Sequence, residues 1–178
     1  MLARMTARRD ELLEAAYQFV LDHGLADLSL RPLAQEIGSS PRVLLYLFGS
    51  KDGLVRELLT RARRDELDAL ARIDGGGLDD VTAALWAWLS APQHRRLLVL
   101  WVEAYARSLV DPEGPWAGFA RGTVDDWLEV LARAQPSGER RTRAGLARRT
   151  RTLALLRGSL LDLLATGEEQ RVGAGLVT

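Results

Sequence analysis

The chain contains no cysteine and only two histidines in 178 residues. The missing thiols exclude disulfide scaffolds, thiolate zinc sites and cysteine nucleophiles together. His23 and His94 lie far apart and in no H-x-x-x-H spacing, so neither a histidine metal centre nor a His-dependent hydrolase has a ligand or base set to build on. Lysine occurs once, as Lys51, against 23 arginines. A GC-rich coding sequence explains that bias as readily as selection for guanidinium groups, so arginine content carries no argument by itself. Long hydrophobic runs are also missing. The longest stretch without charge, Val81 to His94, includes serine, proline and glutamine and falls short of the ~20 apolar residues of a spanning helix. Charges at Arg4, Arg8, Arg9, Asp10, Glu11 and Glu14 interrupt any signal-peptide apolar region. A soluble, cytoplasmic protein with no membrane partner, metal, cofactor or catalytic residue is expected. Formal net charge is zero, and residues 1–64 carry ten basic against eight acidic groups, an asymmetry too small to name a partner.

Alternating β-branched runs are absent, while apolar residues recur at helical spacing almost everywhere, which predicts an all-α chain. A first helix is expected from Thr6 to His23, with Leu12, Ala16, Phe19 and Val20 on one face and Gly24 as its stop. Ser29 is placed to cap a second helix bearing Leu30, Leu33, Ala34 and Ile37, with Pro32 harmless in its first turn and Gly38 at its end. Ser40-Pro41 then pairs a capping serine with proline at the first helical position and opens a short helix to Phe48. Ser50 caps a connecting helix over residues 51–74, which ends in Gly75-Gly76-Gly77. Further helices are expected over residues 78–90, from Pro92 to Val110, from Trp116 to Ala134, from Glu139 to Ala165, and in a last short piece to Leu176. The fold class is thus about nine helices. A helix-turn-helix region, 1–50, precedes a larger helical region, 51–178, that starts with the connecting helix.

Rotation of about 100° per residue from Pro41 puts Leu44 near 300° and Phe48 near 340°, with Arg42 near 100° and Tyr46 near 140°. If Leu44 and Phe48 anchor the helix, Arg42 and Tyr46 point outward together from an element short enough to enter a major groove. Val43 and Leu45 flank that face and can meet thymine methyls. Arg31 can reach a phosphate or a guanine edge, and Arg4, Arg8 and Arg9 can track the backbone or a minor groove. Ser39, Ser40 and Lys51 lie at helix N-termini, where free N–H groups and the dipole suit phosphate. The same short helix pair also suits an ordinary bundle, with Arg31 as a solvated charge and Tyr46 folded down.

Residues 5–60 resemble the DNA-binding region of the tetracycline-repressor (TetR) family of bacterial regulators. The resemblance rests on Arg8-Arg9-Asp10-Glu11-Leu12-Leu13-Glu14-Ala15-Ala16, Phe19, Gly24, Leu28-Ser29-Leu30-Arg31, Leu33-Ala34, Ile37-Gly38, Ser40, Leu44, Phe48 and Ser50-Lys51 in order and spacing. It implies Arg31, Pro41, Arg42, Val43 and Tyr46 facing bases, and Ser39, Ser40, Leu45, Tyr46 and Lys51 near phosphates. One departure is Leu45, where the family usually has tyrosine; Tyr46 is expected to take over the phosphate contact. Leu156 to Gly167 resembles the family's penultimate helix, which pairs with its twin in a dimer.

All five tryptophans, Trp86, Trp88, Trp101, Trp116 and Trp127, fall in the larger helical region after the connecting helix. The resemblance implies an effector pocket there, and an aromatic lining suits an apolar or aromatic small molecule. Trp101, Tyr105, Trp127 and Leu131 are the expected walls, with Glu103 and Arg107, or His94 and Asp125, as polar handles. Tryptophans at helical spacing equally serve as core filler, and His94 after Pro92 suits a capping role. Leu153, Leu156, Leu160 and Leu164 form a leucine seam suited to helix pairing and are the expected dimer interface. The run Arg140, Arg141, Arg143, Arg148, Arg149 and Arg151 reads as a solvated face. The whole predicts a homodimeric, ligand-responsive repressor of a double-stranded DNA operator. The alternative is an all-α ligand-binding or scaffold protein whose helix-turn-helix no longer reads DNA.

Overall fold

A computed structural model of the protein describes residues 2–25, 27–73 and 76–176, with side chains from residue 5 onward. The Arg4 side chain and Asp74 and Gly75 of the expected connecting-helix end lie outside the described residues. Helices are α1 (Leu2–His23), α2 (Leu30–Glu36), α3 (Pro41–Phe48), α4 (Lys51–Ala71), α5 (Leu78–Ser90), α6 (Arg95–Val110), α7 (Phe119–Arg133), α8 (Arg143–Thr166) and α9 (Glu169–Ala174). A 3-10 turn, Pro92–His94, precedes α6, and no strand occurs among the described residues.

The ends depart from expectation where local chemistry overrides apolar spacing. α1 begins before Thr6. α4 stops at Ala71, and the next two N–H groups turn back to the Ala69 and Leu70 carbonyls. α7 starts at Phe119 rather than Trp116, because Pro115 lies in a turn and Gly118 takes φ +73° just before the helix. α8 starts at Arg143 rather than Glu139: the Thr142 hydroxyl accepts the Gly145 N–H at 2.9 Å and fixes the first turn. A Cβ at Gly145 would overlap the Glu139 carbonyl oxygen, so the residue is small because the backbone passes close by.

The chain divides into two compact units. The first comprises residues up to Asp65 together with Arg96–Ala120. Its buried residues include Leu12, Ala16, Tyr17 and Val20 of α1, Leu33 and Ala34 of α2, Leu44 and Phe48 of α3, Leu54 and Leu58 of α4, and Leu98, Trp101 and Ala104 of α6. α6 is tied to the end of α1 twice: Arg96 pairs with Asp22 at 2.5 Å, and the Glu103 carboxylate accepts the Leu25 N–H at 3.0 Å. The second unit comprises Glu66–Arg95 and the chain from Arg121 onward. There α5 packs on α8 and α8 on α9, around Leu78, Val81, Leu85, Leu89, Leu153, Leu156, Leu160 and Val172.

Candidate nucleic-acid interface

α3 is set by its own ends. Ser40 takes an extended backbone, its hydroxyl accepts the Val43 N–H at 3.3 Å, and Pro41 occupies the first turn, where no N–H is needed. Gly49, at φ +77°, closes the helix by donating to the Leu45 carbonyl. Leu44 and Phe48 are buried, and burying two such side chains stabilises by roughly 3–6 kcal/mol. On the other side Arg42, Val43 and Leu45 are exposed, and Tyr46 is 73% exposed. The expected outward face is therefore present, with Arg31 also exposed at the start of α2.

The helix starts differ in what they have to offer. Ser29 stands at the N-cap of α2 without a side-chain capping bond. The Ser39 N–H is engaged by the Ala34 carbonyl at 2.8 Å, which leaves its hydroxyl. Ser50 accepts the Gly53 N–H at 2.9 Å, and Lys51 beside it is exposed. Arg31, Arg42 and Lys51 have no acidic partner among the described residues. Their charges are therefore not tied up in ion pairs within the chain.

The N-terminal arginines divide. Arg8 is exposed and pairs with Glu11 at 3.1 Å, beside an open groove of about 830 Å³ also lined by Met5, Val43, Tyr46 and Leu47. Arg9 instead donates to Glu57 at 2.7 Å and lies over the Phe48 ring at 5.1 Å. It clamps α1 to α3 and α4 rather than reaching outward. Sequence reasoning also missed a half-buried network: the Tyr17 hydroxyl donates to Asp65 at 2.8 Å, while Arg61 donates to Asp65 and, at 2.8 Å, to Glu14, and lies over the Tyr17 ring. Burial, then the bond to Asp65, pushes the Tyr17 phenol well above its ordinary value of 10.0. Partial burial works against the Arg61 charge, but the Glu14 and Asp65 hydrogen bonds outweigh it and hold the guanidinium protonated. The bonds from Tyr17 to Asp65 and from Arg61 to Glu14 span 48 and 47 positions, which local periodicity does not report.

The expected effector residues fall in both units. In the first, Trp101 is buried and stacks on Tyr105 at 5.1 Å, Glu103 holds the Leu25 N–H, and Arg107 is exposed in the last turn of α6. In the second, Trp127 is buried and its indole N–H donates to the buried Glu66 at 2.5 Å, while Leu131 is fully buried. His94 caps rather than waits for a ligand: its ring stacks on Trp88 at 4.7 Å and its Nδ1 lies 2.8 Å from the Trp88 carbonyl. Asp125 pairs with Arg121 at 3.1 Å. Two cavities of the second unit, of about 350 and 400 Å³, are lined by other residues altogether.

The leucine seam of α8 is part of the chain's own core. Leu153, Leu156 and Leu160 are 5%, 0% and 3% exposed and Leu164 is half-buried, on a helix that packs against α5. Leu153, Leu156 and Leu160 are thus taken up by the chain's own packing, and Leu164 keeps part of its surface. The opposite side exposes Ala147, Arg151, Ala154, Gly158, Leu161 and Ala165, an alternating four-and-three spacing, with a Cβ at Gly158 meeting open space.

A short helix that grips the protein with two apolar side chains and presents cations and a phenol outward, in an all-helical chain, defines a helix-turn-helix protein. The sequence profile of the bacterial regulatory proteins of the tetR family matches residues 12–58. The regulator BetI of Stenotrophomonas maltophilia is 27% identical over 111 residues, covering 60% of this chain and 57% of the relative. BetI of Rhizobium meliloti is 29% identical over 173 residues, covering 94% and 71%. The chain spans about half the length of the first curated relatives it matches. Among solved structures, a TetR regulator from Haloarcula marismortui superposes with a TM-score of 0.75 at 15% identity, covering 96% of this chain and 93% of that one. A TetR-family structure from Rhodococcus sp. gives 0.70 at 22%, covering 96% and 95%. Residues 12–58 thus match the DNA-binding region of bacterial tetR-family regulators, and the chain shares the fold of solved TetR-family structures.

Proposed function

We propose that the protein is a homodimeric transcriptional repressor released from its operator by a small molecule, with residues 1–50 reading DNA and 51–178 serving the effector and the dimer. The observation that carries this reading is the outward face of α3, Arg42, Val43 and Tyr46, over buried Leu44 and Phe48. Arg42 and Tyr46 read base edges, Arg31 a guanine edge or a phosphate, and Ser39, Ser40 and Lys51 fix the phosphate register. Two copies place their reading helices about 34–36 Å apart, in successive major grooves of a partly palindromic site. The outward side of α8, with Ala154, Gly158 and Leu161 at its centre, supplies the pairing surface, small residues letting the two backbones approach closely. A structural neighbour, the multidrug binding protein EbrR solved with imidazole, has a TM-score of 0.64 at 23% identity and supports a small-molecule effector. An effector that binds better to a dimer with differently spaced reading heads lowers DNA affinity, and DNA lowers effector affinity by the same factor.

Fluorescence anisotropy with DNA from the promoter of the protein's own gene or a neighbouring one tests the reading. Expected is sequence-selective binding that weakens steeply with salt. Equal affinity for scrambled DNA, or none for either, ends it.

A further inference from the structure

Among the cations with described side chains at the proposed DNA surface, Arg31, Arg42 and Lys51 have no acidic partner among the described residues, and Arg8 has one. Its guanidinium donates to Glu11 at 3.1 Å, one turn further along α1, with both side chains more than half exposed. The pair belongs to the groove between α1 and α3. Arg8 and Glu11 line it together with Val43 and Tyr46 of the outward face of α3, and no other acidic residue lines it among the described residues. A carboxylate therefore stands on the wall of a groove shared with the face proposed to meet DNA. Local stability gives it little reason to be there. Glu11 lies in the third turn of α1, beyond the reach of that helix's N-terminal dipole. An exposed ion pair is worth little in water, and base before acid is the less favourable order on a helix. Neighbouring Arg9 shows the structural alternative, since it spans to Glu57 of α4 and lies over the Phe48 ring. The Arg8 pair joins two residues of one helix and ties α1 to nothing else.

We infer that Glu11 holds Arg8 in the place of a phosphate and yields it to the operator backbone on binding, so that this carboxylate sets operator affinity below what the cations alone give. The inference rests on the reading of the α3 face as DNA-binding and adds a pair to it: Arg8 meets the phosphate, and Glu11 acts through Arg8. A guanidinium offers a carboxylate and a phosphate the same parallel N–H donors, so the exchange needs no new donor geometry. Once it has occurred, Glu11 is left without its partner beside a strand of like charge, and that cost falls on the complex alone. Because the pair is exposed, the effect is a tuning of about two- to fivefold rather than a block.

Fluorescence anisotropy of the full chain on the promoter duplex, over a series of salt concentrations, tests the exchange. Glu11→Gln is expected to bind about two- to fivefold tighter than wild type at low salt, with a salt dependence steeper by up to about one counterion. Arg8→Gln should bind more weakly with a shallower dependence, and Glu11→Gln made in that background should gain less than half as much. Glutamine matches glutamate in helix propensity, and a thermal midpoint close to wild type shows that the gain is not one of folding. Asp10→Asn removes the same charge from an exposed neighbour that does not line the groove, and should change affinity less than Glu11→Gln does. Affinity of Glu11→Gln equal to or weaker than wild type, a gain undiminished in the Arg8→Gln background, or an equal gain from Asp10→Asn overturns the exchange. Selective wild-type binding with any of these results removes the exchange alone, whereas a wild-type chain that does not tell the promoter from scrambled DNA removes the regulator reading and the exchange with it.

Discussion

Tyr46 is the most exposed aromatic residue of α3, and two substitutions divide its ring from its hydroxyl. Tyr46→Phe is expected to weaken operator binding several-fold and to leave its salt dependence nearly unchanged, since a neutral hydroxyl releases no counterion; Tyr46→Ala should weaken binding further. Affinity unchanged in both would take Tyr46 out of the interface. Arg42→Ala is expected to cost about 1–3 kcal/mol and to relax the sequence preference at one base pair, read by competition with single-site operator variants. Tyr17 makes a prediction about pH. Its phenol ionises at a higher pH when folded than when unfolded, so its contribution to stability is complete below the ordinary value of 10.0 and is lost as pH rises beyond it. Tyr17→Phe should therefore lose stability near neutrality and flatten the decline at high pH, measured by urea unfolding between pH 8 and about 11.

At the scale of elements, α3 was legible because its determinants are local: a capping serine, a proline, an apolar pair one turn apart and a glycine. The seam of α8 shows where such reading stops. Its leucines and its alanine–glycine side repeat with nearly the same period, and periodicity reports that a side is buried without saying whether α5 or another copy buries it. The more apolar side went to the chain's own core, as the larger gain in buried area dictates. The Tyr17–Asp65–Arg61–Glu14 network and the Trp127–Glu66 bond were illegible for a different reason, since each joins residues from separate helices. The start of α8 gives a stability prediction. Gly145→Ala should destabilise by about 1–3 kcal/mol, because the new methyl group forces the Glu139 carbonyl and the Thr142 cap apart. Chemical denaturation measures it, and a neutral result would show that the first turn of α8 yields freely.

For the whole molecule, DNA reading and self-association are coupled in the proposed repressor. Leu161→Glu places a charge on the outward side of α8, where Leu161 is 51% exposed, and should leave the thermal midpoint of the isolated chain within a few degrees while shifting light scattering from dimer to monomer. Operator affinity should fall with it by at least tenfold, since one reading helix cannot span two half-sites. The equivalent change on the buried side, Leu156→Glu, should unfold the protein instead. A folded, DNA-competent dimer carrying Leu161→Glu would move the pairing surface elsewhere.

The single lysine, exposed at the first position of α4, makes the protein an unusually simple substrate for amine-directed chemistry. An acylating reagent has one internal target, and that target lies next to the surface proposed to meet phosphates. Protection of this one amine by a duplex, followed as a single mass increment, would therefore footprint the DNA-bound state without any substitution in the chain.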